Sequence, residues 1–213
     1  MKKIRVGIVN YLNTKPLLYG IERAANLDQA ELLPDYPANV ARQLLNDEID
    51  LGLVPVAVIP RLKEAHIVSD YCIGCDGPVA SVAIFCDRPL EEASKLLLDY
   101  QSRTSVNLAR ILVRDHWKLD IPVEDGGEDF LEKIKGDTAG VCIGDRALRQ
   151  RQLSAHVYDL GEAWKQHTQL PFVFAAWVAN KPLDSAFLKA FNEANGVGLN
   201  HLDQVLEGLN YPY

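Results

Sequence analysis

The chain has 213 residues, of which 48% are hydrophobic and 24% charged, and its formal net charge is −7 at pH 7. These fractions are typical of a globular protein with a buried core, and the negative charge argues against a nucleic-acid partner, which would favour a basic surface. The apolar run that follows the basic residues Lys2 and Lys3 is interrupted by polar residues, so this segment does not fit a signal peptide. No segment approaches the length of a membrane span. We therefore expect a cytoplasmic protein that binds neither nucleic acid nor membrane.

Short apolar strands alternate with helical segments in the first part of the chain, which predicts an α/β protein with largely parallel sheets. A strand is predicted over 4–9, and a proline then begins a helix over 16–25. The other elements expected here are a strand over 31–34, a helix over 38–45, a buried strand over 49–56 and a long apolar strand over 79–86.

A second block of strands and helices follows. The expected elements are a strand over 95–98, a helix over 106–117, a helix over 129–135, a strand over 138–143, a helix over 146–152, a long apolar strand over 171–179 and a helix over 184–195. The two long apolar strands bracket this block. We therefore predict an inserted second lobe, residues 85–174, within a first lobe of residues 1–84 and 175–213, with a ligand cleft between the lobes.

The sequence contains no glycine-rich dinucleotide loop, P-loop, zinc-protease motif or serine-hydrolase motif. Cys72 and Cys75 form a C-x-x-C pair, but no second pair and no closely spaced histidine pair completes a zinc site. We expect these cysteines, together with Cys86 and Cys142, to be reduced and packed as small hydrophobic residues. The sequence predicts neither a metal nor a cofactor.

The strongest candidate site in the sequence is Ser102-Arg103-Thr104-Ser105, just before a predicted helix. Backbone N–H groups, hydroxyls and a guanidinium together suit a carboxylate or a phosphate. The alternative is a simple helix cap made by Ser102 or Thr104.

Other polar residues follow or precede predicted strands. Asn10 and Asn13 lie in the loop after the first strand, where α/β proteins bind ligands, although asparagines also form turns. Asp145 either caps a helix or contacts a ligand, and Asp76 has the same two roles open to it. Ser81, taken alone, has a structural role.

Seven segments resemble, in the same order, those of chorismate dehydratases, the family that begins the futalosine route to menaquinone. The first contains Tyr-Leu-Asn-Thr and the third Gly-Pro-Val-Ala-Ser; the segments are 9–17, 50–56, 76–82, 102–105, 144–145, 158–164 and 170–174. The resemblance implies the two-lobed fold of type II periplasmic binding proteins. It also implies a lyase that needs no cofactor and converts chorismate to 3-[(1-carboxyvinyl)oxy]benzoate and water.

The same resemblance implies the site residues. Asn13 and Ser81 are the expected catalytic residues at the reacting ring, and the 102–105 turn is expected to hold a substrate carboxylate. The expected substrate-binding residues are Tyr11, Thr14, Val54, Ser102, Arg103, Thr104, Ser105 and Asp145. The chain ends at Tyr211-Pro212-Tyr213, whereas members of this family usually continue into a further helical stretch.

Three other functions are compatible with parts of this sequence. The 1,4-dihydroxy-6-naphthoate synthase of the same pathway shares the fold, but its first-loop motif differs from Tyr-Leu-Asn-Thr. A small-carboxylate-binding protein would normally be exported. The effector-binding domain of a regulator would need a DNA-binding helix pair, which the sequence does not predict. Chorismate dehydration is therefore the favoured function. The sequence does not indicate the oligomeric state.

Overall fold

The computed structural model describes residues 3–207 and residue 209. The basic start at Met1 and Lys2 and the ending Tyr211-Pro212-Tyr213 therefore lie outside the described residues. In the described part of the chain the strands are β1 (Ile4–Val9), β2 (Ala30–Asp35), β3 (Leu51–Pro55), β4 (His66–Cys75), β5 (Val82–Cys86), β6 (Lys95–Leu98), β7 (Val123–Asp125), β8 (Thr138–Ile143), β9 (His156–Asp159) and β10 (Phe172–Ala179).

The helices lie between these strands, and the last two follow β10. They are α1 (Lys15–Ile21), α2 (Pro37–Leu45), α3 (Thr104–Asp115), α4 (Asp145–Gln150), α5 (Leu160–Thr168), α6 (Ser185–Leu199) and α7 (Leu202–Glu207). The described helices include none with both the length and the apolar character that crossing a membrane would require.

The described residues divide into two compact units, residues 3–73 with 175–207 and 209, and residues 74–174. Strands β4 and β10 contain the points at which the chain passes from one unit to the other. The lobe boundaries predicted from the sequence, 85–174 within 1–84 and 175–213, stay predictions.

The first unit is built on a five-stranded sheet with the spatial order β2-β1-β3-β10-β4. β1 is parallel to both of its neighbours, β2 and β3, and β10 is antiparallel to β3. The carboxyl ends of β1 and β3 and the amino end of β10 consequently share one edge of the sheet. That edge carries the loop expected to face the ligand.

The core of the first unit is centred on Trp177, which is fully buried. Its ring packs edge-on against Phe191 at a centroid distance of 4.9 Å, and its Nε1–H donates to Asn195 Oδ1 at 2.7 Å. Helices α1 and α6 approach each other closely, because a Cβ at Gly20 would lie 1.9 Å from the carbonyl oxygen of Ala194. This contact requires glycine at that position.

The second unit is built on a five-stranded sheet with the order β7-β6-β8-β5-β9. β6 is parallel to β7 and β8, and β5 is antiparallel to β8 and β9. The carboxyl ends of β6 and β8 therefore meet the amino end of β5 at one edge. All five residues of β5 are buried, and helices α4 and α5 pack against this central strand.

Two expected elements differ from the structure. The strand expected over 79–86 begins only at Val82 and lies within the second sheet, so β4, which the sequence analysis missed, connects the units instead. β4 has hydrophobic residues at six of its ten positions, but they do not alternate with polar ones, so the sequence lacks the pattern typical of a half-buried strand. The helix expected over 129–135 is a short 3-10 turn, Phe130–Lys133.

A buried carboxylate, Asp50, stabilises the opposite end of the first sheet, where β1 and β3 begin. Asp50 is 3% exposed and accepts hydrogen bonds from the backbone N–H of Arg5 (2.9 Å), from its guanidinium (2.9 and 3.1 Å) and from Lys181 Nζ. Burial alone would raise the pKa of Asp50, but the bonds from Arg5 and Lys181 outweigh it and hold this pKa well below its usual range. The ionised carboxylate therefore stabilises the fold.

We expect Asp50→Asn to lower the free energy of unfolding at pH 7 by about 2–3 kcal/mol, because charge-assisted hydrogen bonds are lost. Since the pKa of Asp50 is lower in the folded state, its contribution is complete above the unfolded pKa of about 3.9 and is lost as the pH falls through the folded value. Urea unfolding at pH 7 and pH 3 measures the free energy of unfolding of the parent protein, of Asp50→Asn and of the control Asp28→Asn. The difference should shrink at pH 3, and the exposed Asp28→Asn should change little; an equal difference at both pH values contradicts the prediction.

Candidate active site

The first candidate segment follows β1 and forms a tight turn. The Thr14 hydroxyl lies 2.5 Å from the carbonyl oxygen of Val9 and 2.8 Å from that of Tyr11, and it accepts from the Tyr11 backbone N–H at 3.2 Å. Thr14 is 2% exposed, so its side chain shapes the turn from within. Asn13, at the middle of the turn, is exposed, and its amide has no hydrogen-bond partner among the described residues.

The other expected residues of the first unit are more enclosed. The Val54 side chain is fully buried in the hydrophobic core, and Tyr11 is half-buried against the same cluster. Asn10 is exposed and accepts from Lys15 Nζ at 2.5 Å. Asn13 is therefore the expected residue of this loop whose polar group is most open to a ligand, and the substrate contacts of Tyr11, Thr14 and Val54 stay predictions.

Three candidate segments of the second unit lie at one edge of its sheet. Val82 pairs with Ile143, so Ser81, before β5, is next to Gly144-Asp145, after β8. The Ser81 carbonyl oxygen accepts from the Gly144 N–H at 2.8 Å. The turn 102–105 follows β6, which runs parallel to β8 and ends at the same edge. The fold thus brings together residues from three distant parts of the sequence.

The 102–105 turn contains polar side chains that are largely buried. Ser102, Thr104 and Ser105 are 3%, 5% and 4% exposed. The Ser102 hydroxyl oxygen accepts from the Ser105 N–H at 3.1 Å, which is the capping contact that the sequence allowed. Within the described residues the Ser105 hydroxyl has no hydrogen-bond partner. Arg103 is exposed and donates to the Ser102 carbonyl oxygen at 2.9 Å.

A buried carboxylate joins this turn to the end of β8. Asp99 is 1% exposed and accepts from the backbone N–H groups of Gln101 (3.0 Å) and Ile143 (3.1 Å). Arg146 donates to both of its oxygens, at 2.8 and 2.7 Å. Since Gln101 precedes the turn and Ile143 precedes Gly144, Asp99 fixes the two loops relative to each other.

A second buried carboxylate, Asp159, stands beside Ser81. It is 7% exposed and accepts from the backbone N–H groups of Val79 (3.0 Å) and Ala80 (2.8 Å). Arg151 pairs with it at 2.6 Å. Asp159 also caps helix α5, so one carboxylate binds both a helix start and the loop that leads to Ser81.

Sequence reasoning missed these supporting residues. Asp159 had a usable signal, because an Asp immediately before a helical run is typical of an N-cap. Asp99 directly follows the predicted strand over 95–98, but nothing in the sequence shows that its partners are a distant backbone N–H and Arg146. These contacts depend on strand order, which the sequence does not state.

The cysteines do not form a site. Cys72 and Cys75 lie three residues apart on β4, so their side chains point to opposite faces of the strand. Cys86 and Cys142 are buried as expected, whereas Cys72 is exposed and Cys75 is half-buried, so the expected packing was wrong for Cys72. All four thiols are free, and within the described residues no three His, Cys, Asp or Glu side chains cluster to bind a metal.

Comparison with known proteins identifies relatives over nearly the whole chain. A family model described as menaquinone biosynthesis matches residues 4–210. The chorismate dehydratase of Thermus thermophilus is 28% identical over 227 aligned positions, which cover 97% of this chain and 82% of that protein.

Solved structures share the fold at low sequence identity. Protein AF1704 from Archaeoglobus fulgidus superposes with a TM-score of 0.76 at 15% identity and covers 98% of this chain and 83% of its own. The Candida albicans protein CA3427, described as having the generic periplasmic binding protein fold, gives a TM-score of 0.64 at 12% identity, covering 99% and 78%. The fold is therefore periplasmic-binding-protein-like, as the resemblance implied.

We expect thiol labelling to distinguish the four cysteines. Burial, helped by the negative charge of Asp87 near Cys86 and of Asp99 near Cys142, raises the pKa of each of these two thiols to about 12. The thiolate is the reactive form, so the exposed Cys72 should react rapidly with a maleimide and the half-buried Cys75 more slowly, while Cys86 and Cys142 react after unfolding. Cys72→Ser should remove the rapid phase, and rapid loss of four thiols from the folded protein contradicts this assignment.

Proposed function

This chain belongs to the menaquinone-biosynthesis family, and we propose that it is a chorismate dehydratase, a carbon–oxygen lyase that converts chorismate to 3-[(1-carboxyvinyl)oxy]benzoate and water. The observation that carries the proposal is the similarity to a chorismate dehydratase over 97% of the chain. The predicted cytoplasmic location stays a prediction.

The 102–105 turn is the proposed anchor for a substrate carboxylate. It begins helix α3, which has 12 residues and so presents backbone N–H groups and a partial positive charge at its start. The Ser105 hydroxyl, which has no partner among the described residues, is available as a donor. The exposed guanidinium of Arg103 adds a positive charge beside the turn. A carboxylate suits this combination of donors.

The proposed reaction removes a proton from C3 of chorismate and the hydroxyl from C4. The C3 hydrogen is vinylogously acidic, because the negative charge left by its removal spreads through the ring double bonds to the ring carboxylate. Donors on that carboxylate stabilise the developing charge. Loss of hydroxide from C4 then makes the ring aromatic, and the proton and hydroxide leave together as water.

A substrate carboxylate is the proposed proton acceptor, since neither the Asn13 amide nor the Ser81 hydroxyl is a base at neutral pH. Both side chains are suited to orienting groups of the substrate. The Asn13 amide has no partner within the described part of the chain, and the Ser81 hydroxyl has only a long 3.4 Å contact with the Val79 carbonyl oxygen. Each can therefore turn towards the acceptor carboxylate or the leaving hydroxyl at little cost.

The first test incubates the purified protein with chorismate and follows the product by mass and ultraviolet absorption. We expect loss of one water and the appearance of an aromatic spectrum without any added metal or cofactor. Asn13→Ala and Ser81→Ala should each lower kcat by about 100-fold or more, as for the loss of a transition-state contact. Turnover by either variant at the parent rate contradicts the assignment of that residue, and tight binding of chorismate without turnover favours a small-carboxylate-binding protein.

A second test separates ligand binding from loop support in the anchor. Ser105→Ala removes a hydroxyl with no described partner, so we expect KM for chorismate to rise about 3- to 10-fold, as for one lost hydrogen bond, with an unchanged melting temperature. Ser102→Ala also leaves the Ser105 N–H without its acceptor, so it should lower the melting temperature as well. Steady-state kinetics and thermal unfolding of both variants provide the comparison, and an unchanged KM in Ser105→Ala contradicts the proposed carboxylate contact.

A further inference from the structure

The residue before Ser81 has an unfavourable backbone conformation. Ala80 has φ = +56°, which is costly for any residue with a Cβ. It is the central residue of a three-residue turn that is closed by the Ser81 N–H donating to the Val79 carbonyl oxygen at 2.6 Å. Turns of this form with a positive φ at the centre are rare and strained. The strain persists only where the surroundings hold the turn, and such positions concentrate at functional sites.

Asp159 and Arg151 hold this turn from both sides. The Asp159 carboxylate accepts from the N–H groups of Val79 and Ala80, at 3.0 and 2.8 Å. Arg151 donates through Nε to the Ala80 carbonyl oxygen at 2.7 Å and through a terminal nitrogen to Asp159 at 2.6 Å. The ion pair thus bonds both peptide groups of the strained residue.

Helix α5 packs closely behind the same loop. A Cβ at Gly161 would lie 2.5 Å from the Gly77 carbonyl oxygen, 2.7 Å from Cys75 Sγ and 3.2 Å from Val79 Cβ. Any side chain at position 161 would therefore push the helix and the loop apart. Asp159 caps α5, so the packing of this helix against the loop also fixes the Asp159 carboxylate beside the turn at Ala80.

An ordinary aspartate cap in the first unit provides the comparison. Asp184 accepts from the N–H groups of Ala186 and Phe187 at the start of α6, at 2.9 and 3.0 Å. Asp159 makes the equivalent pair of bonds at the start of α5, at 3.0 and 3.1 Å. The bonds to the 79–80 turn and to Arg151 therefore exceed what capping requires.

We propose that Asp159 and Arg151 are positioning residues for Ser81: the ion pair maintains the strained turn at Ala80 and so directs the Ser81 hydroxyl toward the reacting ring. This proposal rests on the proposed role of Ser81 in chorismate dehydration. Neither Asp159 nor Arg151 needs to touch the substrate.

Amide hydrogen exchange tests the structural half of the proposal without substrate. In Asp159→Asn one acceptor oxygen becomes a donor, so the Val79 and Ala80 amides should exchange about tenfold faster or more, because the turn opens more often. The matched control Asp184→Asn makes the same substitution at an ordinary cap, where one oxygen accepts both N–H bonds and asparagine keeps it, and should leave the Val79 and Ala80 amides unchanged. Unchanged exchange in Asp159→Asn, or an equal increase in the control, would overturn the proposal.

A double-mutant cycle tests the functional half. Asp159→Asn should lower kcat by about 10- to 100-fold with KM within about twofold, as expected for a misplaced catalytic group. In a Ser81→Ala background the same change should lower kcat by less than about twofold, because the group it positions is absent. Equal losses in both backgrounds would show a general structural defect and would falsify the positioning role.

Arg151→Lys is the second variant should Asp159→Asn fail to fold. Lysine keeps the positive charge, but a single ammonium cannot reproduce the fork that joins the Ala80 carbonyl oxygen to Asp159. It should therefore show the same faster exchange, the same fall in kcat and the same dependence on Ser81. If the parent protein does not turn over chorismate, the proposed function has failed, and the exchange measurement alone decides whether the ion pair maintains the turn.

Discussion

The requirement that a buried carboxylate be fully hydrogen-bonded shapes the second unit of this protein. An ionised carboxylate that leaves water without partners is very costly, and Asp99 and Asp159 meet this requirement mainly with backbone N–H groups and one arginine each. These N–H groups lie in the loops before Ser81 and before the 102–105 turn, at the end of β8 and at the start of α5. The hydrogen bonds that these two carboxylates require therefore fix the positions of three loops. The polar groups that those loops carry are fixed with them.

The side chains that hold the loops in place differ from those proposed to contact the ligand. The groups that hold the loops are buried and saturated with partners, whereas Asn13 and the Ser105 hydroxyl have no hydrogen-bond partner among the described residues. In the proposed function these donors are in place before a ligand arrives, so little reorganisation would accompany binding. The first unit follows the same rule on a smaller scale, since the Thr14 hydroxyl shapes the turn that presents Asn13.

Much of this could be predicted from the sequence, and the exceptions have physical causes. The strands Ile4–Val9, Lys95–Leu98 and Thr138–Ile143 have the predicted bounds because apolar runs end abruptly at polar residues. β4 and helix α5 were missed, because the hydrophobic residues of β4 do not alternate with polar ones and only three of the nine residues of α5 are apolar. The supporting contacts of Asp99 and Asp159 could not be predicted, because they join residues that are adjacent only after the strands are ordered in the sheet.

The strand order of the first sheet has a consequence for synthesis on the ribosome. β10 lies between β3 and β4, and it is the only neighbour of β4 within the described part of the chain. Since β10 ends at Ala179, the first sheet stays open until most of the chain has been translated. The second unit is continuous over Gly74–Phe174 and contains its own core, so it can fold before the unit that precedes it in sequence. The non-local pairing of β3 with β10 then becomes a late step, and a slow one by the general relation between contact distance and folding rate.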